Sequence, residues 1–498
     1  MAVRVARAGL QGGLTSRARP WFALTTEDPD LADYQPVKEW MYRTQLRMFS
    51  RIARTNTYDS LHESYGDDVV FGVSSLFVED DDLDMIRCYV APVGSFVIAN
   101  SPRGEVDTWY HRTTMTVKNL VEKFGIENCS VHVKNLWTAK NYHSPIEIIH
   151  AVKPRKNREY GSMHYRDMPY SSCWFETAGN EDKYLRESGY REFPVMCSRW
   201  DKTGEDVYGT PPAADGLGAA MGLQKFEKAR LQALDMLVRP PMNAPSTHQQ
   251  QGGTTTLPGQ TNYYDPSGPH AKIEPAVLVD TRIFVEARNE LHDIESQIDS
   301  SLAVDLFLLI ANEERSGVTA EEIRAKKEER LLQVGPTIQR MEREKLKPFV
   351  DRVFAIMWRR GEIEPPPPEL SGVNLGVEFI GPLSVAQRMV ATDSIERTTR
   401  YMMELASVQP TVMDGFDGDA ALEEFAKALG TPPHIIRDTQ EIAIIRADRA
   451  KQQQAEQLAA MAKPMKDAMV AMQVGAETQP VPGNPLEKMG QMLPQGQA

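Results

Sequence analysis

The residue patterns in this chain that could carry chemistry are few, and each has a plainer reading beside it. Gly216, Gly218 and Gly222 in GLGAAMGLQ resemble the glycines of a dinucleotide-binding turn. Their spacing is one residue too wide, and the preceding YGTPPAAD is not the buried strand that would set such a turn beside a pyrophosphate. The stretch reads instead as a helix start with close backbone packing. DGFDGD at Asp414–Asp419 alternates carboxylates as a calcium loop does, but its twelfth position falls on Phe425, where a bidentate glutamate is required. It reads as a turn in which Asp419 caps the next helix. EDDDLD at Glu79–Asp84 reads as a solvated turn between strands rather than a divalent-ion site. GVSSL at Gly72–Leu76 lacks the closing glycine of a nucleophile elbow. The ten histidines include no HExxH and no pair at metal spacing, and no GxxxxGK followed by Ser or Thr exists. Cys88, Cys129, Cys173 and Cys197 lie far apart with no CxxC, which favours reduced thiols over a disulfide frame or a zinc site. The sequence therefore offers no catalytic, cofactor-binding or metal-binding set, and its function must lie in architecture.

The elements bear this out. The first 26 residues carry arginines, but Gly9, Gly12, Gly13 and Pro20 argue against an amphipathic helix, so this segment is expected to be a loop or arm. One helix is expected over Val37–Tyr65, from Trp40, Met41, Leu46, Phe49 and Ile52. From Val69 to about Trp200, short apolar and aromatic segments separated by Gly, Pro, Asp and Asn predict strands, interrupted by one helix at Val117–Phe124.

A helix is expected over Leu217–Val238, stopped by Arg239-Pro240-Pro241. About forty residues rich in Gln, Thr, Gly and Pro follow, with β-like pieces TNYYD and AVLVD, too poor in apolar residues to build a core alone. A long helix from Arg282 to about Ala311 carries Leu291, Ile294, Ile298, Leu302, Leu306 and Leu309 at helical spacing. The charged run Thr319–Lys347 has only a thin stripe (Ile323, Leu331, Val334, Ile338, Met341), too thin for the core helix of a monomer, and Gly335-Pro336 kinks it or starts a new segment that continues to Arg360. Past Pro365–Pro368 come a short strand, VNLGVEFIG, and helices at Ser384–Ala406, Ala420–Leu429 and His434 to about Ala462. A polar tail expected to be disordered closes the chain.

With 498 residues, 41% hydrophobic and 25% charged, the chain is long enough for several domains of ordinary globular composition. Its net charge of −13 argues against a protein that coats nucleic acid, which needs a basic excess, but not against one that DNA slides past. No apolar run reaches membrane-spanning length; the best, Leu302–Ala311, is too short and holds Asp305.

Several stretches, in order, resemble the portal (head-to-tail connector) proteins of short-tailed, podovirus-type phages. They are LQGGLTSRARPWFAL at Leu10–Leu24, FGVSSLFVEDD at Phe71–Asp81, and the RW…YG…PP segment Phe193–Met242. LPGQTNYYD at Leu257–Asp265, VTAEEIRAKKEERLLQVGPTIQRMEREKLKPFVDRVF at Val318–Phe354, PLSVAQRMVATDSIERT at Pro382–Thr398 and GTPPHIIRDTQEIAIIRADRA at Gly430–Ala450 complete the series. Relatives carry a longer helical leader, so either the outer wing is reduced here or the start lies upstream.

The resemblance implies an α+β portal fold: a strand-rich wing, a helical stem, a small β-containing clip and an all-helical crown. The chain would form a ring, usually of twelve copies, around a DNA channel. Residues 1–215 would be arm and wing, 216–240 and 282–311 stem helices, 241–281 the clip, 312–319 the tunnel loop, 320–381 the long kinked helix and return strand, 382–470 the crown and 471–498 the tail. Asn312, Glu313, Glu314, Arg315, Ser316 and Gly317 would face the DNA channel. Gln249, Gln250, Thr255, Gln260, Tyr263, Tyr264, Asp265 and His270 would dock the terminase large subunit and then the tail adaptor. Phe226, Leu234, Leu291, Ile294, Ile298 and Leu302 would pack the stem. Capsid or scaffold protein and double-stranded DNA complete the implied partners, with no cofactor, no membrane and no catalysis. The location would be the portal vertex of the virion, and the host cytoplasm during assembly. The alternatives are another virion structural protein, an adaptor or internal core component, and a cofactor-binding enzyme.

Overall fold

The computed structural model describes residues 1–28, 31–32, 34–162, 164–178, 183–245, 257–264, 273–276, 282–311, 332–370, 372–385, 401–402, 418 and 442–454. It divides into two units, Met1–Thr431 and Pro432–Ala498. Among the described residues of the second unit, 442–454 are helical, within the helix expected there.

The chain opens with a helix, α1 (Ala2–Leu14), where a loop was expected. The glycines that argue against a helix are what allow this one to dock. A Cβ on Gly9 would come within 2.3 Å of the Phe307 ring, and one on Gly13 within 3.1 Å of Leu383. Burial of Ala6, Leu10 and Leu14 outweighs the roughly 1 kcal/mol per glycine that helix propensity exacts. Strand β1 (Phe22–Thr26) follows and pairs antiparallel with the last strand, Phe22 opposite Phe379 and Leu24 opposite Val377.

The helix expected over Val37–Tyr65 is two, α2 (Gln35–Arg54) and α3 (Thr57–Phe71). Between them Asn56 acts as a strand partner: its Nδ2 donates to the Cys88 carbonyl at 2.6 Å and its Oδ1 accepts from the Cys88 amide at 3.0 Å.

Eight strands follow: β2 (Val73–Asp81), β3 (Met85–Val90), β4 (Phe96–Asn100), β5 (Val106–Thr116), β6 (Pro145–Pro154), β7 (Tyr170–Glu176), β8 (Arg186–Tyr190) and β9 (Val195–Arg199). They make a three-stranded sheet, β3-β2-β9, and a five-stranded antiparallel meander, β4 through β8. The helix at Val117–Phe124 (α4) lies where periodicity puts it, capped by the Thr116 hydroxyl, and a second helix, α5 (Val131–Thr138), follows it. Of the expected turn, Glu79–Asp81 end strand β2 and Asp82–Asp84 make the β2–β3 turn, with the Asp81 carboxylate accepting the Leu83 and Asp84 amides.

One face of the meander has two covers. Ile146 and Ile148 pack with Leu120, Phe124 and Val133 of the small helices, while Trp109 and Val152 pack with Phe77 and Val195 of the three-stranded sheet.

Helix α6 (Pro212–Val238) begins five residues earlier than expected and stops at the expected place. After it come β10 (Met242–Pro245), β11 (Thr261–Tyr264) and β12 (Glu274–Pro275), forming a small mixed sheet in the order β11-β10-β12. β11 is the expected TNYY strand; of AVLVD only Ala276 is described. The single helix expected over Arg282–Ala311 breaks at Leu302-Ala303, where Ala303 adopts a left-handed backbone (φ 52°), into α7 (Ile283–Ser301) and α8 (Val304–Ala311).

The described part of the charged run is helical from 332 through a π-turn at Glu342–Leu346 into α9 (Lys347–Arg359). Gly335-Pro336 does not interrupt the described helix. The irregularity falls just before Pro348, whose ring and missing N–H disrupt the bond to Glu344 and leave a widened turn. The expectation that this run is too thin for a monomer's core is overturned for its described half. Ile338, Met341, Leu346, Phe349, Val350, Val353 and Ile356 are fully buried in the largest core, with residues of α1, α2, α3, β1 and β2. Several of its charges are buried too. Arg199 donates to both Glu344 carboxylate oxygens, at 3.0 and 2.6 Å, and the Lys345 ammonium pairs with Asp68 and donates to Ser64 at 3.0 Å. Arg352 Nε donates to the Val78 carbonyl at 2.8 Å. Strand β13 (Leu375–Phe379) closes the fold against β1, and residues 382–385 begin the expected C-terminal helix. The rest of that helical part lies outside the described residues, apart from helical positions 401–402, 418 and 442–454.

Candidate functional site: a projecting helix pair and its terminal sheet

Helices α6 and α7 lie alongside each other. They run antiparallel: a Cβ on Gly216, near the start of α6, would meet Ser301 Oγ, at the end of α7, at 2.6 Å. That contact is the close backbone packing expected of the glycine stretch; Gly218 and Gly222 sit within the helix and face open space.

The sheet caps the opposite end of the pair. The Arg239 carbonyl accepts from Gly259 at 2.9 Å, the Met242 amide donates to Gln260 at 2.8 Å, and the Pro241 carbonyl accepts from Ala276 at 2.6 Å. β10 pairs parallel with β11 and antiparallel with β12. Gln260 and Tyr263 therefore lie together at this tip, with Tyr264 on the same strand. Gln249, Gln250, Thr255, Asp265 and His270 lie outside the described residues, as do Asn312, Glu313, Glu314, Arg315, Ser316 and Gly317.

The residues expected to pack the pair divide. Phe226, Leu291 and Ile294 are half-buried, whereas Leu234 is 43% exposed. Ile298 and Leu302 pack into the largest core at the base of the pair.

A second apolar set on α6 is exposed: Leu217, Met221, Leu231 and Val238, at 53–70% relative exposure. At 100° per residue these four fall within a stripe about 100° wide, while half-buried Leu223, Phe226 and Ala233 lie on the other side of the helix together with the less exposed Leu234 and Leu237. Sequence periodicity groups Leu223, Phe226, Leu231, Leu234 and Val238 in one stripe, but only Leu223 and Phe226 are half-buried, and Leu231, Leu234 and Val238 are exposed.

The described residues hold no cluster of His, Cys, Asp or Glu able to bind a metal. All four cysteines are free and buried, and burial pushes the Cys197 thiol up to about 12 and that of Cys88 to about 11, so they are thiols at neutral pH. No helix among the described residues is long and apolar enough to cross a membrane.

The described fold sets helices around two antiparallel sheets, with a helix pair tipped by a small mixed sheet. Comparison with known proteins gives it a family. The family model described as bacteriophage head to tail connecting protein matches residues 1–436. The chain is 38% identical to the portal protein of Salmonella phage epsilon15 over 462 residues, 93% of this chain and 83% of that protein. It is 36% identical to the probable portal protein of Bordetella phage BPP-1 over 460 residues, 92% and 82% of the two chains. Among solved structures, a chain of the virion of a native gene transfer agent particle matches at TM-score 0.30 and 12% identity over 86% of this chain and 94% of that one, a score that carries no argument. The chain belongs to the bacteriophage head to tail connecting protein family. Its function is that of a portal protein, a structural component of the phage virion.

Proposed function

We propose that identical copies of this chain close into a ring, usually of twelve in this family, around an axial channel through which double-stranded DNA enters and leaves the capsid. The carrying observation is the exposed stripe Leu217, Met221, Leu231 and Val238 on a helix that is already packed on its other side. An apolar face of that kind is stable in water only when covered, and in a closed ring each copy covers its neighbour. The short strands β11 and β12 at the edges of the tip sheet support the same reading, since strand pairing or close packing around a ring protects such edges.

In this proposal residues 1–215 are the arm and wing, 216–240 and 282–311 the stem, 241–281 the clip and 382–470 the crown. The clip, including Gln260 and Tyr263, docks the terminase large subunit during packaging and the tail adaptor afterwards, and the wing meets capsid or scaffold protein. Asn312–Gly317 form the tunnel loop facing DNA. The net charge of −13 suits a channel that DNA traverses without deep electrostatic wells. Ring assembly takes place in the host cytoplasm before the head is filled.

The test is the mass of the purified chain by light scattering, together with end-on images of the particles. The expected result is a closed ring with a central opening; a stable monomer or dimer at micromolar concentration overturns the proposal. Deleting Asn312–Gly317 is expected to leave rings assembled and to impair packaging or retention of DNA.

A further inference from the structure

Between the two covers of the five-stranded sheet a gap remains, and it is chemically unlike the rest of the molecule. It is a cavity of about 490 Å³, a size that suits a small organic ligand. Its floor is one register row across four strands: His111 opposite His150, His150 opposite Trp174, Trp174 opposite Arg186. The His150 and Trp174 rings stack at 3.9 Å with 9° between their planes. Across the gap, Phe77 stacks on Tyr89 at 4.7 Å on the three-stranded sheet. Aromatic rings therefore form part of the wall on both sheets.

Two observations set this cavity apart from the rest of the packing. The first is His150, whose side chain is fully buried. Its Nε2 is hydrogen-bonded to Ser172 Oγ at 2.8 Å, but its Nδ1 has no partner, and the residue lines the cavity. An unpartnered buried ring nitrogen costs about 1–3 kcal/mol. The second is the charge at the mouth. Arg87, Lys123 and Arg186 all line it, and none has a carboxylate within ion-pair distance among the described residues. Lys123 instead lies 4.3 Å over the Trp174 ring.

Of the acids at the mouth, Asp80 is paired with Arg360, and Glu79 lies directly opposite Arg87 in the β2–β3 register. Glu79 also acts electrostatically on Lys123, so Lys123 and Arg186 lack a direct ion pair among the described residues rather than any counter-charge. Burial pulls the Lys123 ammonium below its ordinary range; Glu79 opposes that pull and Arg186 adds to it.

The geometry points to a binding site for a small aromatic anion: a flat ring held beside Trp174 and Tyr89, with a carboxylate or phosphate on Lys123 and Arg186. Cationic side chains supply charge-assisted bonds to either anion, and the walls supply apolar and stacking contact. The site belongs to a single chain and does not depend on ring closure. A nucleoside monophosphate and an aromatic acid share this chemistry.

Calorimetric titration of the full-length chain with AMP and, separately, with naphthalene-2-carboxylate distinguishes these two sources. Adenosine and inorganic phosphate serve as probes with the ring or the anion alone. The expected result is saturable binding of at least one aromatic anion, one per chain, at least about tenfold tighter than either partial probe. The double variant Lys123→Met with Arg186→Met, at two exposed positions, is expected to weaken that binding by about tenfold or more while the thermal unfolding midpoint stays unchanged. Binding no tighter than adenosine and phosphate for both probes overturns the proposal. So does binding of full strength in the double variant.

Discussion

At the scale of single residues, buried charge decides more of this fold than hydrophobicity shows. Glu344 and Lys345 are adjacent in sequence and both point inward, one to Arg199 and the other to Asp68. Asp68 is also held by the Ser198 hydroxyl at 2.7 Å, and Ser198 by Ser74 at 3.0 Å, so the charge is embedded in a hydrogen-bonded chain. Burial pulls the Lys345 ammonium down, and Asp68 opposes that pull. In a sequence these residues read as a solvated helix face, because nothing local marks a lysine whose partner lies 277 positions away.

Next to the pair, burial and the charges of Asp68 and Glu63 push the Asp67 carboxyl up to about 6. Its folded-state value exceeds its unfolded one, so ionisation above pH 6 costs stability, and that cost disappears as the pH falls towards the unfolded value of 3.8. Asp67→Asn mimics the uncharged form. It is expected to be more stable than the parent at pH 8, by on the order of 1 kcal/mol once solvent screening is allowed for, with the difference gone by about pH 4. Thermal unfolding of both proteins at pH 8, 6 and 4 checks this; an equal gain at every pH would show that the charge is not its source.

At the scale of elements, close backbone approach sets where helices and strands meet. Gly72 ends α3 with a left-handed backbone (φ 75°), and a Cβ there would meet the Gly209 carbonyl oxygen at 2.5 Å and the Pro211 nitrogen at 2.6 Å. The Gly72 carbonyl in turn accepts the Trp200 amide at 2.9 Å. Two segments that carry the family resemblance, the glycine before VSSL and the YG before the first long helix, are thus the two sides of one crossing. Gly72→Ala combines a left-handed backbone, worth about 1–2 kcal/mol, with a clash against main chain that cannot swing away. It is expected to lower the denaturation midpoint by more than Gly94→Ala, which also has positive φ but meets nothing within 4 Å. Chemical denaturation of the two variants makes the comparison, and equal losses would remove the crossing as the cause.

Helix α1 carries the same lesson in reverse. Its glycines lower helix propensity, yet they are the residues that let Phe307 and Leu383 lie against it. The split at Asn56 was equally hidden, since an asparagine within an apolar periodicity gives no sign that it will pair with Cys88. By contrast α4, the end of α6 and strand β11 were legible, because a capping threonine, a Pro-Pro stop and an aromatic strand act through their immediate neighbours.

At the scale of the whole molecule, the outward stripe on α6 is the feature a lone copy cannot satisfy. Replacing Leu217 and Leu231 by Glu places charges on a face turned away from α7, so the single chain keeps its packing. If neighbouring copies cover that face, each buried carboxylate opposes assembly. The double variant is expected to shift the assembled mass towards monomer in light scattering while leaving the circular dichroism spectrum unchanged. Full assembly of this variant would place the contact between copies elsewhere.

The sequence by itself determined the class of protein and most element types. Its ordered stretches from Leu10 to Ala450 carry the family, and period-two and period-3.6 patterns report burial wherever an element packs against a generic apolar neighbour. Only the tertiary structure decided that the described part of the charged run, from 332 to Arg359, is a core helix, that the glycine-rich start is a helix, and that His111, His150, Trp174 and Arg186 share one row beneath a cavity. The physical reason is common to all three. Each depends on complementarity between residues tens to hundreds of positions apart, in charge, in backbone clearance or in strand register, and such pairings leave no periodicity along the chain.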